Sequence, residues 1–212
     1  MRTTSQEARR VIADAALVAF CKRGYCQATL EEIGAEVGLT RGAVLHHFKT
    51  KAGLLEFVLE PFRRSLAQLL LTQTLGDPPT VGERRQMLAG LADLFLAHRG
   101  ALRLLVNDIS ARVELGLDDQ WLMPPERLVG LLLGGQSTHP NQVRVAAAIG
   151  AMMQPVTWAW LDLEDATTRA GLIEAAVAVL QEQPAPVPHP DPQMSTAYVN
   201  VGVAPMVQTA AP

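Results

Sequence analysis

Aromatic side chains are scarce in this sequence, at 5% of 212 residues, while Ala and Leu dominate. That composition favours helix over strand. Cysteine is nearly missing: Cys21 and Cys26 stand five apart across a predicted helix end, with no CxxC pair or histidine partner. A zinc site is therefore excluded, and two reduced thiols in a cytosolic protein are expected. Charge is thin, with 18% charged residues against 49% hydrophobic, which argues a globular chain over a disordered one. A net charge of −3 excludes binding to nucleic acid through bulk charge. The charge-free run from Val145 to Leu161 falls short of the roughly 20 residues a bilayer needs. It also carries Gln154, Pro155 and Thr157, so it reads as a buried packing helix and not a membrane span. No signal peptide opens the chain, since an Arg-rich amphipathic helix begins almost at once. The expected location is cytoplasmic. Catalytic patterns are missing too: there is no paired acid and base, nucleophile motif, phosphate-cradling Gly loop or metal cluster. His139 and His189 sit in Pro-flanked segments without an evident partner. Neither an enzyme nor a cofactor is implied.

The charge that is present is unevenly placed. Residues 1–51 hold eight Lys/Arg against five Asp/Glu, a balance of +3, whereas the remainder carries −6. A basic head on an acidic body fits a DNA-reading domain joined to one that does not touch DNA. Within the head, Thr29 and Glu32 have the spacing of a capping box and start a helix. Leu30, Ile33 and Val37 give it an apolar face, and Gly38 can end it in the left-handed conformation. Thr40 then caps a second helix running through Phe48. Two short helices about a tight turn form a helix-turn-helix, which lays its second helix in the DNA major groove.

Hydrophobic periodicity sets the remaining organisation. A first helix is predicted over Gln6–Lys22 with Ile12, Ala16 and Phe20 inward and Arg9, Arg10 and Lys22 outward. A long fourth helix runs from Lys51 to about Thr72, and GDPPT at 76–80 breaks the chain. Val81–Ala97 reads as a fifth helix, Gly100 as punctuation, and Ala101 to about Val113 as a sixth. Pro125 opens a seventh that ends near Gly134-Gly135; Pro140–Trp160 is the eighth, bent or ended early by Pro155, and Asp165–Gln181 the ninth. From Pro184 onward, proline density opposes helix and sheet alike, so residues 184–212 are expected to be an extended or disordered tail. The predicted fold is all-α, about nine helices: a DNA-binding domain over residues 1–50 and a larger helical domain over 51–183.

Residues 6–55 resemble the DNA-binding domain of TetR-family transcriptional regulators. The matching positions are Ala8, Ile12, Ala15, Ala16, Phe20, Gly24, Thr29, Ile33, Gly34-Ala35 and Val37-Gly38. They continue through Thr40, Gly42-Ala43, His47-Phe48, Lys49, Lys51 and Leu54-Leu55. On this footing Thr40 directs the amide end of the reading helix at a phosphate, and Arg41 reaches a base edge. Gly42 and Ala43 let the backbone approach the groove, while Leu45, His46 and His47 lie on or beside the exposed side. Lys51 and the Thr29 end of the preceding helix suit backbone phosphates. The two adjacent histidines point about a hundred degrees apart, so they do not share a metal. Where the family usually has Tyr, this chain has Leu45, which replaces a phosphate hydrogen bond by an apolar surface.

The resemblance further implies a homodimer through the last two helices, reading a palindromic operator of double-stranded DNA. For that interface the small residues Ala146–Ala151 would pair with a stripe of Leu172, Ile173, Val177, Val179 and Leu180. It also implies a small-molecule effector pocket in the body. Apolar wall candidates are Leu66, Leu91, Phe95, Leu105, Trp121, Met123, Met152 and Trp158, with Asn107 and Gln154 as polar contacts. The implied function is a ligand-responsive regulator, a repressor released from DNA by an apolar effector. A helical protein-interaction module is the alternative that explains the apolar helices alone.

Overall fold

The computed structural model describes residues 5–72, 78–117, 125–135, 137–158, 161–165 and 167–181. Trp121, Met123 and the tail from Pro184 lie outside them. Ten helices and no strand occur among the described residues. They are α1 (Ser5–Arg23), α2 (Leu30–Glu36), α3 (Arg41–Phe48), α4 (Lys51–Thr72) and α5 (Val81–Ala97), then α6 (Arg99–Asn107), α7 (Ile109–Glu114), α8 (Pro125–Leu132), α9 (His139–Thr157) and α10 (Thr168–Gln181). None is long and apolar enough to cross a membrane.

The first three helices form a small unit around Ile12, Ala16, Phe20, Ile33, Val44 and Phe48, all buried. Helix α4 begins beneath it, where the Thr50 hydroxyl accepts the Gly53 amide at 2.9 Å, and runs on into the body. Pro61 lies inside α4 without ending it. Its position is exposed, so water can satisfy the carbonyl freed one turn earlier. In the body α10 packs on α9 and α5, α8 packs on α9, and α6 bridges α1 and α9. One hydrophobic core is continuous through both regions, and residues up to Gln181 make one compact unit.

Four sequence expectations are corrected. The single helix predicted over 101–113 is two, because Asp108 leaves the helical conformation to cap α7, accepting the Ala111 amide at 3.1 Å. Gly100 is not punctuation but lies within α6, where an added Cβ would stand 2.9 Å from Leu17 of α1. The α5–α6 break falls instead at His98. Leu172, Ile173, Val177 and Leu180 are buried within the subunit, so that stripe serves the core and is not available to a second copy. The last helix starts at Thr168 and not Asp165, whose carboxylate accepts the Thr167 amide at 2.7 Å in a preceding turn. Pro155 acts as the sequence predicts, with α9 ending two residues on at Thr157.

His98 and Arg99, at the α5–α6 junction, carry side-chain contacts to other parts of the fold. Arg99 pairs with Glu164 at 2.9 Å, and His98 Nε2 lies 3.0 Å from the Ser65 hydroxyl, its ring edge-on to Phe62. Burial holds the His98 imidazole below its ordinary 6.5. Its folded pKa is thus lower than its unfolded one, so this contribution to stability is fully present above pH 6.5 and is lost as pH falls through the folded value. The melting temperature should fall on acidification below pH 6.5, with a shallower slope in His98→Gln. Identical slopes for the two proteins would remove His98 from the acid response.

Candidate nucleic-acid interface

Each short helix of the head is started by a hydroxyl. Thr29 accepts the Glu32 amide at 3.2 Å while Glu32 takes the Thr29 amide at 3.1 Å, completing the box. The Thr40 hydroxyl accepts the Ala43 amide at 3.2 Å. The Thr40 hydroxyl keeps its proton for a phosphate, whereas the Thr29 hydroxyl also hydrogen-bonds the Glu32 carboxylate. Between the helices, Gly38 takes φ +69° and the Leu39 amide donates to the Gly34 carbonyl at 2.8 Å. A Cβ on Gly34 would lie 2.6 Å from the Leu39 carbonyl oxygen, a backbone atom that cannot yield. Glycine therefore sets how closely α2 and α3 meet.

Helix α3 buries Val44 and Phe48 and turns its other side outward. Arg41, Gly42 and His46 are exposed; Ala43, Leu45 and His47 are half-buried, and Leu45 rests against the core edge. The eight-residue helix ends in an unusual turn. Lys49 has φ 61° and ψ −44°, and the Thr50 amide donates back to the Phe48 carbonyl at 2.7 Å. This is a γ-turn with positive φ, strained for any residue with a Cβ. It brings Lys51 under the head, where the ammonium donates to the Cys26 carbonyl at 3.2 Å and stands 4.4 Å above the Tyr25 ring. Two of its three donors remain for a phosphate.

Two features are not legible in local sequence. Arg9, expected outward, is half-buried, its guanidinium 5.0 Å from the Phe48 ring and 4.6 Å from that of Phe57. It joins α1, α3 and α4 by cation–π contact. Tyr25, in the α1–α2 connection, is gripped by the body. Its amide donates to Asp108 at 2.5 Å, and burial together with Glu114 pushes its phenol up to about 12. Burial pushes the Asp108 carboxyl up, but hydrogen bonds from Ser110, Tyr25 and Ala111 outweigh this and leave it below 3.8. Asp108 is thus an anchored anion joining α7 to the head.

The effector candidates do not gather in one place. Leu66 and Leu105 share a cavity of about 140 Å³ between α4 and α6, closed by Leu115 and Leu117. Leu91, Phe95 and Met152 are fully buried core residues that line none of the cavities described here. Asn107 is exposed in a polar cleft beside Asp108, Gln154 is exposed on α9, and Trp158 borders a different cavity at the end of α9. Trp121 and Met123 fall outside the described residues.

Residues 12–58 match the family model described as bacterial regulatory proteins, tetR family. The chain is 42% identical over 72 residues to the HTH-type transcriptional regulator SrpR of Pseudomonas putida, covering 34% of this chain and 33% of that one. It is 35% identical over 82 residues to the HTH-type transcriptional repressor BepR of Brucella suis, 37% of this chain and 39% of that one. The chain thus matches only about a third to two fifths of these relatives' lengths. A TetR-like transcriptional regulator from Rhodococcus shares the fold, with a TM-score of 0.53 at 18% identity over 85% of this chain and 93% of that one.

The γ-turn yields a test. Replacing Lys49 by Gly removes the Cβ that makes positive φ costly, at the expense of a more flexible unfolded chain. Lys49→Gly should stabilise the fold by roughly 1 kcal/mol in urea denaturation. A loss of similar size would show that the lysine side chain contributes more than the strain costs.

Proposed function

We propose that the chain is a regulator of the TetR type, the family whose model residues 12–58 match, and that it acts as a homodimeric repressor of transcription. Each subunit inserts the Arg41–His47 side of α3 into the major groove at one half of a palindromic operator. A small, largely apolar effector releases it. The observation that carries this is the orientation of α3, with Val44 and Phe48 seated inward while Arg41, Gly42 and His46 face solvent.

Arg41 reads a guanine edge with its two-pronged donor set. The amide end of α3 and the Thr29, Thr40 and Lys51 groups hold phosphates and fix the register. A single reading helix covers few bases, so a second copy is needed, with half-sites one helical turn apart, about 34 Å. What supports pairing through α9 and α10 is their outward side. Val143, Ala146 and Ala147 on α9 and Gly171, Ala175 and Ala178 on α10 are exposed and small or apolar. The repressor sense rests on the likeness to BepR.

The effector acts by preferring the conformation in which the two heads no longer match the operator, and it shifts the equilibrium by its difference in affinity for the two states. Helix α4 runs from head to body, and α7 holds Tyr25 through Asp108, so displacement in the body is passed to the head along two routes. Arg41→Ala should weaken operator binding by about 1–3 kcal/mol and relax discrimination at one base position in gel-shift titrations. Lys51→Ala should weaken binding to all sequences alike and lower the salt dependence by about one released ion. Unchanged selectivity in Arg41→Ala would remove that residue from base reading.

A further inference from the structure

Helix α1, the start of α6 and the end of α9 surround a cavity of about 680 Å³. Small-molecule sites are typically roughly 300–1,000 Å³. The cavity is apart from the small space between α4 and α6, and it borders the reading head directly. Its walls are of two kinds. Leu17 and Val18 of α1, Val156 and Trp158 at the end of α9, and Leu161 and Leu163 beyond it are apolar. Val18 and Trp158 are 52% and 43% exposed, so large apolar surface stays open to water here.

The polar wall is cationic. Arg99 is neutralised by Glu164 at 2.9 Å. Lys22 and Arg103 also line the cavity, and neither has an ion-pair partner among the described residues. The carboxylate on the lining, Asp162, is engaged in a turn, accepting the Glu164 amide at 3.0 Å. Cys21 supplies a neutral surface, its thiol donating to the Gly100 carbonyl at 3.4 Å and raised in pKa by burial. At Gly100 the Leu17 side chain of α1 lies against α6, its Cδ2 2.9 Å from where a Cβ would stand.

We propose that this cavity binds a small amphipathic anion: a carboxylate on an apolar chain or ring, its charge held by Lys22 and Arg103 and its body against Leu17, Val18 and Trp158. Such a ligand touches α1 of the head and both α6 and α9 of the body, so it occupies the junction whose geometry decides head orientation. Binding at this place does not rest on the operator assignment.

Octanoate tests it, titrated calorimetrically into the full chain without DNA. The expected result is saturable binding of one molecule per chain, with octan-1-ol at least tenfold weaker because it lacks the charge. The double variant Lys22→Glu/Arg103→Glu should lose at least tenfold in affinity, and Val18→Ser should weaken binding as well. All these side chains are on the surface, and unchanged melting temperatures would verify folding. Arg63→Glu, at the α4–α6 cavity, should leave the affinity unchanged. The proposal is overturned by no saturable binding below about 1 mM, a threshold corresponding to about −4 kcal/mol. It is equally overturned by equal affinity for the alcohol, by indifference to the double variant, or by loss in Arg63→Glu. Since DNA is not present, any of these leaves the operator assignment standing.

Discussion

A helix of eight residues is not stable alone in water, so the posture of α3 depends on what it is packed against. Val44 and Phe48 supply that packing, one fully buried against the head core and the other enclosed between His47, Phe57 and the Arg9 guanidinium. Fully burying such side chains is worth about 1.5–3 kcal/mol each. The energy that holds the reading helix therefore comes from one side, and the other is free to carry polar and small residues chosen for a ligand. Gly34 makes the arrangement possible, because any larger residue would force α2 and α3 apart at the Leu39 carbonyl.

The same economy appears where head meets body. Tyr25 collects contacts from four directions: Phe20 at 5.4 Å, the Lys51 ammonium above its ring, Asp108 at its amide and Glu114 acting on its phenol. Asp108 can reach that amide because the chain breaks between α6 and α7. The break costs helical hydrogen bonds, but the aspartate recovers one by capping α7 and adds another across the junction. These contacts tie the α1–α2 connection to α7 and to the start of α4.

Features encoded in neighbouring residues were legible in the sequence. The Thr29–Glu32 box, the Gly38 turn, the Thr40 cap and the extents of α4 and α5 need only short-range patterns, and they occur where those patterns place them. Features set by distant partners were not. The role of Gly100 depends on Leu17, and the α6–α7 break on Tyr25, 83 residues from Asp108. The stripe of α10 was visible as apolar, but periodicity cannot say whether such a stripe meets the subunit's own core or a second copy. Effector candidates scattered for the same reason: apolar residues with suitable chemistry line a cavity only where three helices leave a gap. Lys49 shows a third case, a strained turn whose residue gives no hint of positive φ.

The proposed function places the outward side of α3 in the major groove. Methylation interference at guanine N7 tests it most directly, since N7 is exposed in that groove alone. With an operator selected from random duplexes, interference should fall in two clusters about one helical turn apart, related by a dyad. Arg41→Ala should erase interference at one symmetric guanine pair. Binding that survives N7 methylation throughout, or interference unchanged by Arg41→Ala, would contradict it.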